Sequence, residues 1–277
     1  MPISFQGAAY PPDPARLTVD NNFITRPTSS GTETPAATSL ITLTDAVNFI
    51  TNPNNIIVRD DFINGGSTNQ TIGDLGWYSF SAGGGAGSSI TGPTAVFPNI
   101  GARILTCANA TDAGQVIYLP SITSLLTYAG WEFCFVVELN QTTDCDLIVG
   151  FTKDNGSIGI GKFGGISFGA RYSSATDTNF MFYSKNTNLT FAANDASNYA
   201  ISSGVVAGTT YNTFRIRSIV AGALQMSING GSFVAVNTSS ITTTGIFIPF
   251  FYIATRTTTS KSIDVDFYSM KMQGVAR

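Results

Sequence analysis

The sequence of 277 residues contains no histidine and few charged residues. Lys and Arg number 14 and Asp and Glu number 17, so charged residues make up 11% of the chain and the formal net charge is −3. An average soluble protein has about 25% charged residues. Without histidine, Ser-His-Asp and Cys-His catalysis, imidazole metal ligands and histidine pH switches are excluded. The few cations are scattered and form no basic stripe, so we expect no nucleic-acid partner.

Cysteine and long apolar runs are also scarce. The three cysteines, Cys107, Cys134 and Cys145, are an odd number whose spacing matches no zinc pattern, so we expect small buried side chains. No run of 18 uncharged apolar residues occurs, which predicts that no segment spans a membrane. The first residues lack the basic and apolar segments of a signal peptide, so we expect synthesis in the cytosol without export.

Proline is concentrated at one end of the chain. Seven of the eleven prolines lie in the first 53 residues. Because proline lacks a backbone N–H and restricts the residue before it, this region forms no regular sheet or long helix. We therefore predict an extended arm over residues 1–57. Within it, residues 42–50 are typical of a short helix capped by Thr42, with Leu43, Val47 and Ile50 on one face.

From about Arg59 onward, short alternating runs between Gly, Asn, Ser and Thr clusters predict β-strands. In residues 131–139 every odd position is apolar, while Glu132 and Glu138 lie on the opposite face. The run 214–219 alternates in the same way, with both arginines outward, and Asn229-Gly230 indicates a hairpin turn. The sequence therefore predicts an all-β domain over residues 58–277, a two-sheet antiparallel sandwich of about ten to fourteen strands.

Three further segments give more specific expectations. The nearly continuous apolar run 246–254 predicts a strand buried on both faces, with Pro249 at an edge or a bulge. Ile263, Val265 and Phe267 are predicted to face the core opposite Asp264 and Asp266, and a change of parity at Met270 and Met272 predicts a bulge near Ser269. Residues 121–129 are either a short helix or a loop.

Six short segments follow one another in an order that is known from a protein family. They read VRDDF (58–62), IGDLGW (72–77), GWEF (130–133), TTYNTFRIR (209–217), SINGGSF (227–233) and IDVDFY (263–268). Together they resemble the concanavalin A-like (laminin-G-like) β-sandwich modules of tailed-phage virion structural proteins, over about residues 58–274. The resemblance implies that the opening Asp-Asp-Phe strand pairs near the closing Asp-x-Asp-Phe strand. It also implies a particle-borne protein that displays its sandwich outward and is anchored by its N-terminal segment.

In the absence of histidine, the candidate catalytic acids and bases of this sequence are carboxylates. The three glutamates are Glu33 in the arm and the pair Glu132 and Glu138, which are six residues apart on one strand, about 20 Å at about 3.3 Å per residue. Glycosidic bond cleavage needs two carboxyl groups about 5–9.5 Å apart. The E-x-D-x-x-E strand of glucanases that share the concanavalin A-like fold is absent from the sequence. We therefore predict that the protein is not an enzyme.

Two groups of acidic residues could supply oxygen ligands for calcium. One comprises Asp144, Asp146, Asp154 and Asn155, and the other comprises Asp60, Asp61, Asp264 and Asp266. Neither matches a calcium-loop motif, and aspartates at strand ends commonly accept backbone N–H bonds instead. We therefore predict no metal and no cofactor.

Aromatic side chains are the remaining candidates for ligand binding, since they can stack on sugar rings. Trp131 shares the parity of Phe133 and Phe135, which predicts a core position. The candidate carbohydrate-binding residues are Trp77, Tyr78, Tyr172 and Tyr183. For Trp77 and Tyr78 the alternative is that they close one end of the sandwich.

The sequence therefore predicts a non-enzymatic virion structural protein, made in the host cytoplasm and exposed on the particle surface. Its position could be capsid decoration or the tail or fibre, with host surface glycans as a further contact. The expected partners are other virion proteins and copies of itself, a trimer being one arrangement. The alternatives are a dedicated carbohydrate-binding receptor adhesin and, third, a glycan hydrolase.

Overall fold

The structure is a computed structural model that describes residues 19–20, 23–24, 56–62, 72–82, 88–91, 103–111, 113–119, 129–154, 163–186, 199–238 and 245–272. The chain divides into two compact units, residues 1–56 with 273–277, and residues 57–272. In the first unit, β1 (Val19–Asp20) and β2 (Phe23–Ile24) form an antiparallel pair. The predicted helix at 42–50 and nearly all of segment 121–129 lie outside the described residues.

The second unit is a sandwich of two antiparallel sheets. Its strands are β3 (Ile56–Asp60), β4 (Tyr78–Ala82), β5 (Ser89–Thr91), β6 (Arg103–Thr106), β7 (Gly114–Tyr118), β8 (Trp131–Leu139), β9 (Cys145–Asp154), β10 (Phe163–Ser173), β11 (Asn179–Asn186), β12 (Tyr199–Val206), β13 (Tyr211–Val220), β14 (Ala223–Ile228), β15 (Val234–Val236), β16 (Phe247–Thr255) and β17 (Ser262–Met272). In the first sheet the strand order is β12-β11-β10-β9-β16-β7-β4. In the second it is β15-β14-β13-β8-β17-β6-β5, with β3 also paired to β17. We call the two sheets the seven-stranded and the eight-stranded sheet.

The core lies between the two sheets and is rich in phenylalanine. Phe151 of β9 meets Phe133 and Phe135 of β8 at ring-centroid distances of 4.4 and 5.6 Å. Phe251 of β16 meets Phe135 at 5.4 Å. Trp131 lies in the same cluster, 5.4 Å from Phe133, which confirms its predicted core position. Aromatic rings in such edge-to-face contacts combine large buried area with favourable electrostatics.

Many of the sequence-based expectations are confirmed. Glu132 and Glu138 lie opposite the buried odd positions of β8, and Arg215 and Arg217 lie outward on β13. All three cysteines are buried and free. Every residue of β16 is buried, because Phe251 faces the sandwich core while Phe250 and Tyr252 pack with Val116 and Tyr118 on the other side of the sheet.

The expectation for Pro249 is wrong, because β16 is a central strand between β9 and β7 and its register with β9 is continuous. The Pro249 carbonyl accepts a hydrogen bond from the Leu119 backbone N–H, at 3.1 Å. In an antiparallel strand the N and the O of one residue point to the same neighbour. The missing N–H therefore points toward β7 at the end of that ladder, next to the pair Phe250 with Tyr118, so the only ladder bond lost there is the reciprocal one to the Leu119 carbonyl.

The bulge in β17 exists, but it lies between Val265 and Phe267 and not near Ser269. Because the extra residue is inserted there, Phe267 pairs with Val136 on the outer side, and the prediction that it faces the core is wrong. Met270 and Met272 consequently point into the core and are buried. The fifteen strands of the two described sheets also exceed the predicted number by one.

Candidate functional site

Trp77 lies inside the sandwich and offers no ring face to a ligand. Its exposed fraction is 0%, and its ring lies 5.4 Å from Phe62, 5.5 Å from Phe251 and 5.0 Å from Tyr268. The indole N–H donates to the Asp60 carboxylate at 3.0 Å. The structure therefore buries Trp77 in the core between the two sheets.

Asp60 joins the chain around Trp77 through several hydrogen bonds. Its buried carboxylate also accepts hydrogen bonds from the backbone N–H groups of Phe62, at 2.8 Å, and Leu75, at 2.9 Å. Burial raises the pKa of Asp60, and these donors oppose the rise. Gly73 lies so close that a Cβ there would be 2.3 Å from the carboxylate. The sequence marked Asp60 through the Asp-Asp-Phe resemblance and as a possible calcium ligand, and did not assign it this role.

The three candidate tyrosines differ in exposure. Tyr172 is buried, with its hydroxyl donating to the Thr142 carbonyl at 2.7 Å and its ring 6.0 Å from Phe180. Tyr183 is also buried, with 2% of its surface exposed. Tyr78, on β4 at the edge of the seven-stranded sheet, is half-buried and stacks on Tyr118 at 5.7 Å. The structure therefore leaves only Tyr78, of the four predicted residues, with part of its ring accessible.

Several carboxylates are paired with arginines. Glu132 accepts from Arg215 Nε and Nη2 at 2.9 and 2.6 Å, and Asp177 lies 3.5 Å from Arg171. Asp146 binds Arg256 Nη1 at 3.2 and 3.3 Å. Burial raises the pKa of Asp146, while hydrogen bonds from Ser173 and Arg256 oppose the rise. These carboxylates hold strands and turns together, which is a structural role.

The outer side of the eight-stranded sheet has a cationic end. Lys271, Glu132, Arg217 and Gln225 form one register row across β17, β8, β13 and β14, and Arg215 lies in the next row. The Arg217 guanidinium lies 3.5 Å from the centroid of the Phe233 ring and donates to Gln225 at 2.9 Å. We call Arg215, Arg217 and Lys271 the cationic end of this face.

The opposite end of the same face is acidic. Glu138 pairs directly with Asp264 on one side and with Tyr211 on the other. Burial and the neighbouring Asp264 raise the pKa of Glu138, and burial raises the pKa of Asp264 against a hydrogen bond from Asn140 at 3.1 Å. Burial and then Asp61 raise the pKa of Asp266. We call Glu138, Asp264 and Asp266 the acidic end.

Tyr211 lies within this acidic end. Its hydroxyl oxygen is buried and has no hydrogen-bond partner among the residues that the structure describes. Burial raises the pKa of Tyr211, and Asp264, Asp266 and Glu138 raise it further. Sequence reasoning missed the Glu138–Asp264 pair, because only the order of strands in the sheet brings residues 126 positions apart side by side. The one available signal was that alternation puts both carboxylates on outward positions.

The described residues contain no group of three or more Cys, Asp or Glu side chains that could hold a metal ion. Of the first group of possible calcium ligands, Asp146 is paired with Arg256, and Asn155 lies outside the described residues. Of the second, Asp60 is committed to its three N–H donors. No helix long and apolar enough to span a membrane occurs in the described part of the chain.

No protein-family model and no curated protein matches this chain. Solved structures do resemble it. A protein of unknown function from Shewanella oneidensis MR-1 has a TM-score of 0.52 at 11% identity, over 86% of this chain and 97% of its own. The carbohydrate recognition domain of Emp46p, in its potassium-bound form, has a TM-score of 0.49 at 10% identity, over 72% of this chain and 89% of its own. A beta-1,3-glucanase from Mycobacterium marinum has a TM-score of 0.48 at 9% identity, over 77% of this chain and 97% of its own.

At such identities the similarity shows the fold alone. The class is the one that the sequence predicts, an all-β, two-sheet antiparallel sandwich. Function has to be argued from the residues of this chain, because one fold carries many functions.

Proposed function

We propose that this chain is a non-enzymatic structural protein of a tailed-phage virion. In this proposal residues 1–57 fasten the protein to the particle and the sandwich is displayed outward. The observation that carries it is the pairing of β3 with β17. This is the arrangement that the resemblance implies for the opening Asp-Asp-Phe strand and the closing Asp-x-Asp-Phe strand. The Asp60–Trp77 hydrogen bond then fixes the start of the sandwich to its interior.

The charge distribution supports display over catalysis. Glu132, Asp146 and Asp177 are each held by an arginine. A general acid or base needs to exchange its proton with substrate, and an ion-paired structural carboxylate is poorly suited to that. With 11% charged residues, the surface depends little on charge for its solubility, which suits a module exposed to variable salt.

Deletion of residues 1–55, which leaves β3 intact, tests the anchoring. We expect the truncated protein to keep the thermal stability of the sandwich but to be lost from purified particles, measured by quantitative mass spectrometry of the virions. The control is full-length protein supplied from the same plasmid. Normal occupancy of the truncated protein would overturn the anchoring role.

Incubation with host surface polysaccharide tests the absence of enzymatic activity. We expect no new reducing ends with the full chain. The Glu138–Asp264 pair is the sharpest control, because two carboxyl groups directly opposite each other are close enough to flank a glycosidic bond. If the wild-type protein released reducing ends and the Asp264→Asn variant did not, the protein would be a hydrolase and the proposal that it is non-enzymatic would be wrong.

A second candidate function, recognition of host glycans, is favoured by Tyr78. This half-buried ring lies on an edge strand and is stacked on Tyr118, so its orientation is fixed before a sugar binds. A receptor adhesin should bind immobilised host glycans and lose that binding in Tyr78→Ala. Tyr211→Phe, on the other sheet, is the matched control. Equal binding by both variants would exclude Tyr78 as the contact.

A further inference from the structure

The outer side of the eight-stranded sheet carries opposite charges at its two ends. Along β8, Glu132 at the cationic end and Glu138 at the acidic end are six residues apart, about 20 Å at about 3.3 Å per residue. Between them lie Val136 and its cross-strand partner Phe267, both half-buried. Along the strand direction, the face is therefore cationic at one end, apolar in the middle and acidic at the other end.

The acidic end has an unmet electrostatic requirement. Like charges directly opposite on neighbouring strands destabilise a sheet, and Glu138 faces Asp264 in this way. Among the described residues, none of the groups that shift the pKa of Glu138, Asp264 or Asp266 is a cation. The opposing contribution at Asp264 comes from the neutral amide of Asn140. A positive group from outside this set of residues would stabilise the arrangement.

The cationic end presents such groups in a fixed geometry. The Arg217 guanidinium lies over the Phe233 ring, and Arg215 is held by Glu132 through two hydrogen bonds. Arginine side chains fixed in this way lose little conformational freedom when they meet a carboxylate. Arg215 and Arg217 are half-buried, so their outer surfaces remain accessible.

We propose that this face binds a second copy of this chain, with the cationic end of each copy lying on the acidic end of the other. The two copies would be related by a two-fold axis that lies in the interface between their two faces, perpendicular to the strands. Rotation about this axis reverses the strand direction, so the cationic end of one copy lies over the acidic end of the other. Such an interface uses the same patch on both copies. Val136 and Phe267 of each copy meet in the middle, where an apolar contact excludes water.

The presence of both signs on one face favours a second copy over other occupants. A calcium ion would satisfy the acidic end alone and leave the arginines as they are. The described residues also offer no group of three or more acidic or cysteine ligands for a metal. The proposal does not depend on a virion location, so its test and that of the anchoring arm fail independently.

The test is a charge-swap experiment on the full chain, followed by sedimentation velocity at about 50 mM salt, where surface charges are weakly screened. Wild-type protein should form a dimer that weakens as salt rises. Arg217→Glu and Asp264→Arg should each weaken self-association at least about tenfold, because each places like charges in contact. An equimolar mixture of the two variants should dimerise again, since each altered end then meets an end of opposite charge.

A second pair, Lys271→Glu and Glu138→Arg, guards against a variant that fails to fold, and circular dichroism melting reports the fold of each protein. Asp74→Arg, in an exposed turn, is the matched control and should dimerise as the wild type does.

Three results would overturn the proposal. The first is a monomer up to about 100 µM at low salt, a range that covers ordinary weak association. The second is an oligomer that none of the four charge variants changes, which would place self-association on another surface. The third is a monomer whose melting temperature rises with calcium and loses that rise in Asp264→Asn, which would make the acidic end a cation site.

Discussion

At the residue scale, Asp60 shows how one buried carboxylate organises a chain end. It receives two backbone N–H bonds and the indole N–H of Trp77, so it joins β3 to the turn before β4. Its pKa is raised by burial, which means that removal from water costs more than the donors return for the charged form. Asp60 therefore has a structural role, and its loss would leave the two backbone N–H groups and the indole N–H without their acceptor.

Asp60→Ala should destabilise the protein by about 3 kcal/mol, because buried donors that lose their acceptor keep their desolvation cost. Urea unfolding followed by circular dichroism measures the change in the free energy of unfolding. Asp74→Ala, in the neighbouring turn and exposed to solvent, is the matched control and should change the stability by less than about 0.5 kcal/mol. Equal stability of the two variants would contradict the role given to Asp60.

At the scale of the strand, the acidic end of β17 gives a pH dependence. The folded-state pKa values of Asp264 and Glu138 are raised, so the folded protein binds protons more tightly than the unfolded chain does. Stability therefore increases as the pH falls through the raised values toward the unfolded values near about 4. This contribution is unfavourable at neutral pH and disappears in acid.

Asp264→Asn should consequently raise the melting temperature at pH 7 of protein diluted until it is monomeric. The gain over the wild type should shrink as the pH falls toward about 4, where the wild-type carboxyl is itself protonated. Thermal melts of both proteins at several pH values measure it, and Asp74→Asn corrects for general titration. A gain that stays constant with pH would show that charge is not its cause.

The pairing of β9 with β10 gives a second prediction at this scale. Gly150 pairs with Gly169, and a Cβ on Gly150 would lie 2.3 Å from the Phe168 carbonyl oxygen. The two backbones can separate only by breaking their ladder, so Gly150→Ala should cost more than about 2 kcal/mol.

Gly208→Ala is the control for Gly150→Ala, because no atom lies within 4 Å of a Cβ built there. Gly208→Ala should change the free energy of unfolding very little. Urea unfolding midpoints of the two variants give the comparison. If the Gly150→Ala protein were as stable as Gly208→Ala, the backbones of β9 and β10 would have to move apart at little cost, which would contradict the prediction.

Alternation along a strand could be predicted, but interruptions of it could not. β8 reads as one apolar and one polar face, and the structure has it so. In β17 the same rule fails after Val265, because a bulge inserts one residue and reverses which side chains face the core. Pro249 was misplaced for a related reason, since the neighbouring strand β7 ends beside it, and only the pairing of the two strands shows this.

At the scale of the whole molecule, the two sheets enclose both tryptophans of the chain, Trp77 and Trp131. We expect a blue-shifted native fluorescence that iodide quenches weakly, with quenching several-fold stronger after unfolding. Soluble host glycans should leave the emission unchanged, because neither indole offers a face for stacking. A glycan-dependent shift that Trp77→Phe removes would show that the sandwich end opens to admit a ligand.

The sequence by itself determined the class of the molecule and the side of the sheet to which most side chains point. Alternation with period two, turn residues between the runs and the confinement of most prolines to one end are local properties that need no knowledge of neighbours. These properties also put Glu138 and Asp264 on outward positions.

Only the tertiary structure decided which strands are neighbours. It placed Glu138 against Asp264, buried Trp77 on Asp60, and gathered cations and acids at opposite ends of one face. Strand order depends on contacts between residues far apart in the chain, whose formation rests on the packing of the whole core and on loop closure. The physical source of the site is therefore long-range pairing, which no local pattern encodes.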